Sequence, residues 1–305
     1  MTKTQATSMT LKAFGRRSSR LVSLALALGL LWANATTAGI VIQDDRHHSH
    51  EFKSAPQRII TLLPSLTESV CALNACARLV ATDRYSNWPA AVLALPKVGG
   101  IDDTPIERIV ALKPDVVLAA RSSRAVKRLE ELHIPVVTLE PQSLEDVFHT
   151  LETLSILLDA RPAHAELVSQ LQKDLDQATA LIPASRRNQS VYFEVAEHRY
   201  AASQSSYIGQ VLARLGLHSS VPGTLGAFPA MSWEWVLTHP PDLLMVDQDE
   251  LDNMEHRPLS HSLLALQTHA VCAFPKREFE VMARPGPRVG QMALSIAHCV
   301  AGLSH

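Results

Sequence analysis

The sequence lacks the short motifs by which the common classes of enzyme are recognised. It contains no Gly-x-Ser-x-Gly nucleophile turn, no His-Glu-x-x-His zinc helix and no phosphate-binding glycine loop. Carboxylates near a cleft do not by themselves define a reaction. We therefore expect a protein that is not an enzyme, with no catalytic residues, no metal ligands and no resident cofactor.

The sequence also lacks an apolar run long enough to cross a bilayer. Residues 21–32 are apolar or small, but a membrane helix needs about 20 such residues. This run follows five basic residues and no acidic one, and Ala33-Asn34-Ala35 after it has the small-x-small pattern of a cleavage site. We predict a signal peptide over residues 1–35, export to the periplasm and no membrane insertion of the mature chain.

Two details of export stay open from the sequence. Cleavage fits after Ala35 or after Ala38, and Arg16-Arg17 leaves a twin-arginine route beside the general secretion route. No cysteine is found at the cleavage site, which argues against a lipid anchor.

An excess of positive charge is missing as well. Without residues 1–35, 23 Lys and Arg remain against 30 Asp and Glu, a formal charge of −7 with neutral histidines. Such a surface argues against nucleic acid or an anionic membrane face as a partner. Roughly 270 mature residues can bury two cores of ordinary size. We expect a monomer.

Cysteines are few, and none of them has the two-residue spacing that structural zinc sites commonly use. The four are Cys71, Cys76, Cys272 and Cys299. In an oxidising compartment they can form disulfides. We prefer the pairs Cys71–Cys76 and Cys272–Cys299, and the alternative is a set of buried free thiols.

The clearest periodic stretch is residues 162–182, which predict one long helix. Its apolar residues recur at steps of three and four and form a single stripe, namely Val168, Leu171, Leu175, Ala178 and Ile182. Pro162 suits a first helical turn and Pro183 ends the pattern. At about 1.5 Å per residue, such a helix is roughly 30 Å long and can connect two lobes. The alternative is an ordinary surface helix of one larger domain.

On both sides of this helix, short apolar strands alternate with helices, which predicts parallel sheets with the ligand side at the carboxyl ends of the strands. The predicted fold class is therefore α/β, with two lobes joined by the helix. We assign 40–160 to an N-terminal lobe, 161–183 to the interlobe helix and 184–305 to a C-terminal lobe. Strands are predicted at 58–63, 79–81, 116–118, 136–139, 191–195 and 242–246.

A hairpin is predicted at residues 40–55, before the first of these strands. His47, His48 and His50 lie at its tip. Clustered histidines can take up a metal, but an exposed loop offers no enclosed geometry, so we favour a solvated turn.

The two lobes share an internal similarity. Glu107 is followed at seven and eight residues by Pro114-Asp115, and Glu234 at the same distances by Pro241-Asp242. Each glutamate falls in the first turn of a predicted helix that leads into a buried strand, which indicates two related lobes. Two capping boxes are also predicted, Ser65 with Glu68 and Thr104 with Glu107.

Four segments taken in order resemble one known family. They are residues 58–68 (RIITLLPSLTE), 106–115 (IERIVALKPD), 192–194 (YFE) and 284–288 (RPGPR). Together they are similar to the periplasmic substrate-binding proteins of iron-chelate and vitamin B12 ABC importers. The resemblance spans residues 40–303 and implies two α/β lobes joined by one rigid helix.

The resemblance also implies a function and its residues. Residues 85–89 (YSNWP) and 228–234 (FPAMSWE) match the cleft and docking segments of the members that bind vitamin B12. We expect the ligand to contact Tyr85, Trp88, Tyr200, Phe228 and Arg284. Glu107 and Glu234 are expected to dock onto the membrane permease, which works with a cytoplasmic ATPase.

The expected ligand is a cobalamin-type corrinoid, held between aromatic side chains. Ile101 stands where those members have a tryptophan, so a haem or ferric-siderophore receptor is an alternative. In a haem or corrinoid receptor, His198 is a weaker candidate for an axial ligand. A zinc or manganese receptor is less favoured, because Pro64-Ser65 replace the histidine expected after the first strand.

Overall fold

Alternating strands and helices make up the part of the chain that the structure describes, residues 39–100, 102–196 and 200–303 of a computed structural model. The predicted signal peptide, Ile101 and His198 lie outside these residues. The strands are β1 (Ile40–Gln43), β2 (Ser49–Phe52), β3 (Ile59–Thr61), β4 (Leu79–Thr82), β5 (Val116–Ala119), β6 (Val136–Thr138), β7 (Ser190–Ala196), β8 (Tyr200–Ala201), β9 (His218–Ser219), β10 (Leu243–Asp247) and β11 (Val271–Phe274).

The α-helices separate these strands, with several short 3-10 turns between them. They are α1 (Pro64–Ala72), α2 (Ile106–Ala111), α3 (Ala125–Glu131), α4 (Leu144–Leu157), α5 (Arg161–Leu181), α6 (Tyr207–Arg214), α7 (Trp233–Thr238), α8 (Gln248–Glu255), α9 (Leu264–Gln267), α10 (Lys276–Met282) and α11 (Val289–Gly302). In the described residues, no helix is both long enough and apolar enough to span a membrane.

Two sheets with parallel cores form, one on each side of α5 in the sequence. The first has the strand order β4-β3-β5-β6 and is parallel throughout. In the second, β11, β10 and β7 are parallel neighbours, β9 pairs in parallel with the start of β7, and β8 pairs antiparallel with its end. The predicted α/β fold with two parallel-sheet lobes is confirmed.

The internal similarity corresponds to equivalent positions in the two sheets. Asp115 precedes β5, and its Oδ2 accepts a hydrogen bond of 2.8 Å from the N–H of Arg58, just before β3. Asp242 precedes β10, and its Oδ2 accepts one of 2.8 Å from the N–H of Ser190, which begins β7. Each aspartate therefore links two adjacent strands of its own lobe, β3 with β5 in the first and β7 with β10 in the second.

Within the described residues, helix α5 is the one crossing of the chain between the two sheets. It begins one residue before the predicted helix, and Leu171, Leu175 and Ala178 of the predicted stripe are buried in the core of the second lobe. Leu167 contacts the buried clusters of both lobes. Helix α11 lies against α5 at Gly290, where a Cβ atom would be only 2.7 Å from Cβ of Asp174.

Both predicted capping boxes are wrong. Helix α1 begins at Pro64, two residues earlier than expected, so Ser65 lies inside the helix and cannot cap it. Helix α2 begins at Ile106 without a side-chain cap, and the Thr104 hydroxyl donates to the carbonyl of Gly100 instead. Pro64, which needs no N–H partner, is the first residue of α1, and Pro105 takes the cap position of α2 in place of Thr104.

The hairpin β1–β2 is attached to the first lobe through Asp44. Its carboxylate accepts hydrogen bonds from the Thr138 hydroxyl at 2.7 Å and from the N–H of His48 at 2.9 Å, and Nε2 of His50 lies 3.3 Å from it. His47 and His48 are exposed, whereas His50 is half-buried in β2, so the expected solvated turn holds for two of the three histidines. No group of metal-binding side chains occurs among the described residues.

Two disulfides are present, Cys71–Cys76 and Cys272–Cys299. The first closes a short loop after α1, and the second joins β11 to α11. This is the pairing preferred from the sequence, and it leaves no free cysteine in the described chain.

Candidate functional site

A cleft of about 710 Å³ is lined by residues of both lobes. Most of its lining from the first lobe follows the carboxyl ends of β3 to β6, and Val195 lies near the end of β7. Ligands bind at this end of parallel sheets because the connecting loops gather there. The first lobe contributes Leu63, Pro64, Ser65, Arg84, Tyr85, Asn87, Ala120, Glu140, Pro141 and Gln142. The second contributes Val195, Tyr207, Phe228, Glu280, Ala283, Arg284 and Pro285.

Aromatic side chains enter the cleft from both lobes. Tyr85, after β4, is 61% exposed, and Phe228 of the second lobe is half-buried. Behind Phe228 lies Tyr207, whose ring centroid is 5.7 Å away and whose hydroxyl donates to the carbonyl of Met282. Burial raises the pKa of Tyr207 far above its ordinary value. Tyr207 is thus a neutral donor that supports the Phe228 wall.

The loop that carries Tyr85 is held by a buried polar network. The carboxylate of Asp83 accepts hydrogen bonds from the N–H of Tyr85 at 2.7 Å and from the hydroxyl of Ser86. Nζ of Lys97 donates to the carbonyl of Ser86 at 2.7 Å. Burial raises the pKa of Asp83 above its usual value and lowers that of Lys97. These contacts fix the backbone beneath an otherwise exposed ring.

Arg284 connects this loop to the second lobe. Its Nη1 donates to Asn87 Oδ1 at 2.7 Å and to Glu68 Oε1 at 2.9 Å, and its Nη2 donates to the carbonyl of Tyr85 at 3.2 Å. Arg288 donates to the same Glu68 through Nε at 2.8 Å. The Glu68 side chain is only 2% exposed, so this is a buried contact between the lobes.

Each charged side chain that lines the cleft has an oppositely charged neighbour within the described chain. Arg84 pairs with Asp103, and Arg284 pairs with Glu68. Glu280 lies 3.5 Å from Arg284, and Glu140 lies 3.8 Å from Arg121. The four lining charges, Arg84, Glu140, Glu280 and Arg284, also sum to zero.

The structure places three of the five candidate ligand residues in the cleft, Tyr85, Phe228 and Arg284. Trp88 lies instead in a separate pocket of about 280 Å³, where the guanidinium carbon of Arg288 is 5.2 Å from its ring centroid. Tyr200 is on β8, 46% exposed, and does not line the cleft. Sequence reasoning missed Tyr207 and Glu68, because the contacts that define their roles come from distant segments.

The two candidate docking glutamates occupy equivalent positions. Glu107 and Glu234 are exposed residues in the first turns of α2 and α7, the helices that lead into β5 and β10. The hydroxyl of Ser232 caps α7 by accepting from the N–H of Trp235 at 3.2 Å. Neither glutamate lines the cleft, and neither has an ion pair among the described residues.

Sequence comparison relates this chain to substrate-binding proteins. Residues 59–278 match the family model described as periplasmic binding protein. An uncharacterised ABC transporter substrate-binding lipoprotein of Bacillus subtilis is 25% identical over 260 residues, 82% of each chain. A vitamin B12-binding protein of Pectobacterium carotovorum is 26% identical over 200 residues, 63% of this chain and 71% of that protein.

Solved structures share the fold. The vitamin B12 binding protein BtuF of Vibrio cholerae gives a TM-score of 0.68 at 23% identity, over 81% of this chain and 97% of that one. The haem binding protein HutB of the same species gives 0.67 at 20% identity, over 79% and 98%.

Two parallel-sheet lobes with a cleft between them define a two-lobed binding protein. Because the family model covers more than half of the sequence, the chain belongs to the periplasmic binding protein family. Members of this family are solute-binding proteins and not enzymes.

Proposed function

We propose that this protein is the exported solute-binding component of an ABC importer, and that it captures a cobalamin-type corrinoid in the periplasm and delivers it to the permease. The family match and the relatives support the class, since one relative is an ABC transporter substrate-binding lipoprotein and others are vitamin B12-binding proteins. The ligand is cargo, and the protein works as a monomer without a resident cofactor.

The observation that carries the proposal is the cleft with one aromatic wall on each side. Its volume of about 710 Å³ falls in the range of small-molecule sites, ~300–1,000 Å³. Tyr85 and Phe228 offer flat apolar faces to a macrocycle, and Gln142 offers its amide group to the polar edge of the ring. A corrinoid has this combination of a flat ring and a periphery of amides.

Delivery to the permease depends on Glu107 and Glu234 in this proposal. Two exposed carboxylates, one in each lobe, suit arginines on the membrane partner, because charge-assisted pairs fix orientation more than they add affinity. The equivalent placement of the two glutamates before β5 and β10 supports a docking surface that spans both lobes.

A haem or ferric-siderophore receptor is the second candidate. It is favoured by haem-binding and hydroxamate-transport proteins among the structures with the same fold. A zinc or manganese receptor is less favoured, because Pro64 and Ser65 follow β3 where such a receptor is expected to have a histidine.

Titration of the purified mature protein by calorimetry and tryptophan quenching tests the ligand. We expect cobalamin to bind at least about tenfold more tightly than haemin or a ferric hydroxamate, a difference of ~1.4 kcal/mol. Tyr85→Ala and Phe228→Ala should each weaken binding, whereas Tyr200→Ala, outside the cleft, serves as the matched control. The assignment to corrinoids is wrong if cobalamin gives no signal at tens of micromolar and a ferric chelate binds.

A further inference from the structure

The positive charge of Arg284, one of two arginines that line the cleft, is already balanced by neighbouring carboxylates. Arg284 makes four hydrogen bonds, to Glu68, Asn87, the carbonyl of Tyr85 and Glu280. Glu68 itself lines the separate pocket near Trp88 and is not among the residues that line the cleft. The guanidinium therefore faces the ligand with its charge balanced.

Glu68 holds a second cation as well. Arg288 approaches it with Nε and Nη2, which is the two-pronged geometry that guanidinium and carboxylate groups prefer. Arg284 and Arg288 are then opposed by Glu68 and Glu280, so the group of four has no net charge. The side chains of Arg284, Arg288 and Glu68 are 11%, 13% and 2% exposed, so water screens their interaction poorly.

This arrangement penalises an anionic ligand. A carboxylate that enters the cleft finds the charge of Arg284 already balanced by Glu68 and Glu280, so it loses hydration without gaining an unpaired cation. Arg84, the other arginine that lines the cleft, is paired with Asp103. An amide can instead bond with Gln142 and leave the ion pairs in place.

We propose that Glu68 is a specificity-determining residue, which acts through Arg284 to make the cleft select ligands with an uncharged polar edge, amides or esters, over the same ligands with carboxylates. The inference rests on the proposed function in taking the cleft as the ligand site. It does not require that the ligand be a corrinoid.

The test uses two pairs of probes that differ in charge at their edge. One pair is cobalamin and the cobalamin monocarboxylates made by hydrolysis of a peripheral amide, and the other is haemin dimethyl ester and haemin. In the wild-type protein, the uncharged member of any pair that binds should bind at least about tenfold more tightly. This measurement needs no variant to fold.

Glu68→Gln keeps the shape and hydrogen-bonding capacity of the side chain but removes its charge. We expect it to reduce the preference for the uncharged probe by at least about tenfold, mainly through tighter binding of the carboxylate, which a loss of folding cannot produce. Glu194→Gln is the matched control, because it removes a buried carboxylate that pairs with an arginine, Arg257, but does not line the cleft. It should change the preference by less than about threefold.

The outcomes separate this inference from the proposed function. If only the haem pair binds and the ester is preferred, the corrinoid assignment fails and the role of Glu68 stands. If cobalamin and its monocarboxylates bind equally well, or if Glu194→Gln acts as strongly as Glu68→Gln, the role of Glu68 is overturned while corrinoid binding stands. If none of the four probes binds, both are overturned.

Discussion

Arg288 of the second lobe donates from Nε to Oε2 of Glu68 in the first lobe across 2.8 Å, although the two residues are 220 positions apart in the sequence. Arg284 reaches the same carboxylate, so one buried side chain of α1 holds the loop between α10 and α11. Together with the crossing helix α5, this contact links the two lobes.

The first prediction concerns lobe motion. A single helix has no pair of extended segments that could act as a hinge, and the Glu68 contacts oppose separation of the lobes. Scattering curves of the ligand-free and ligand-bound protein should therefore nearly superimpose, with radii of gyration that agree within about 1 Å. A larger decrease on binding would contradict this rigid connection.

The second prediction concerns docking. The double variant Glu107→Gln with Glu234→Gln should keep ligand affinity within about threefold, or ~0.7 kcal/mol, because neither residue lines the cleft. It should lose ligand-stimulated ATP hydrolysis by the reconstituted transporter, since in the proposed docking both carboxylates pair with arginines of the permease.

The matched control for docking is Glu145→Gln with Glu278→Gln. These are also exposed glutamates in first helical turns, one on each side of α5 in the sequence. The control should stimulate ATP hydrolysis normally. Full stimulation by the Glu107 and Glu234 double variant would leave those residues only a favourable interaction with the helix dipole.

The third prediction concerns the contact between α5 and α11. Gly290→Ala would bring a Cβ atom to 2.7 Å from Cβ of Asp174, so one helix has to move. We expect a loss of about 1–3 kcal/mol in the free energy of unfolding. Gly302→Ala, in the same helix with no atom within 4 Å of the added Cβ, should be neutral or slightly stabilising. Urea denaturation compares the two, and equal effects would disprove the close contact.

The fourth prediction concerns pH and Asp44. Burial opposes its ionisation, but hydrogen bonds from Thr138, His48, His50 and Arg46 outweigh burial and hold its pKa well below the usual value. Asp44→Asn should cost about 1–3 kcal/mol at neutral pH, because it leaves donors of the hairpin unpaired. A depressed pKa gives stability that is present above the unfolded value and lost as pH falls, so this cost should shrink between about pH 5 and pH 2.

Asp45→Asn provides a control of opposite sign. Burial raises the pKa of Asp45, so its protonated form is favoured in the native state. The stability of the wild type relative to Asp45→Asn should therefore grow as pH falls and decline as pH rises. Denaturation curves at several pH values check both variants. The same pH trend for both would contradict the opposite pKa shifts of Asp44 and Asp45.

Sequence pattern predicted much of the backbone. Alternating apolar segments located β3 to β7 and the helices between them, because buried parallel strands and amphipathic helices each have their own periodicity. The spacing of Glu107 and Asp115 and its repeat at Glu234 and Asp242 identified equivalent positions in the two lobes. Helix starts were less predictable, since Pro64 and Pro105 displaced the expected caps by one or two residues.

By itself the sequence determined the α/β class, the two lobes, the long helix and the family, because these depend on local periodicity and on ordered segments. Only the tertiary structure decided that Trp88 and Tyr200 lie outside the cleft, that Tyr207 supports Phe228, and that Glu68 neutralises Arg284. Those relationships join residues up to 216 positions apart, and no local pattern encodes a contact that forms only when two lobes meet across a cleft.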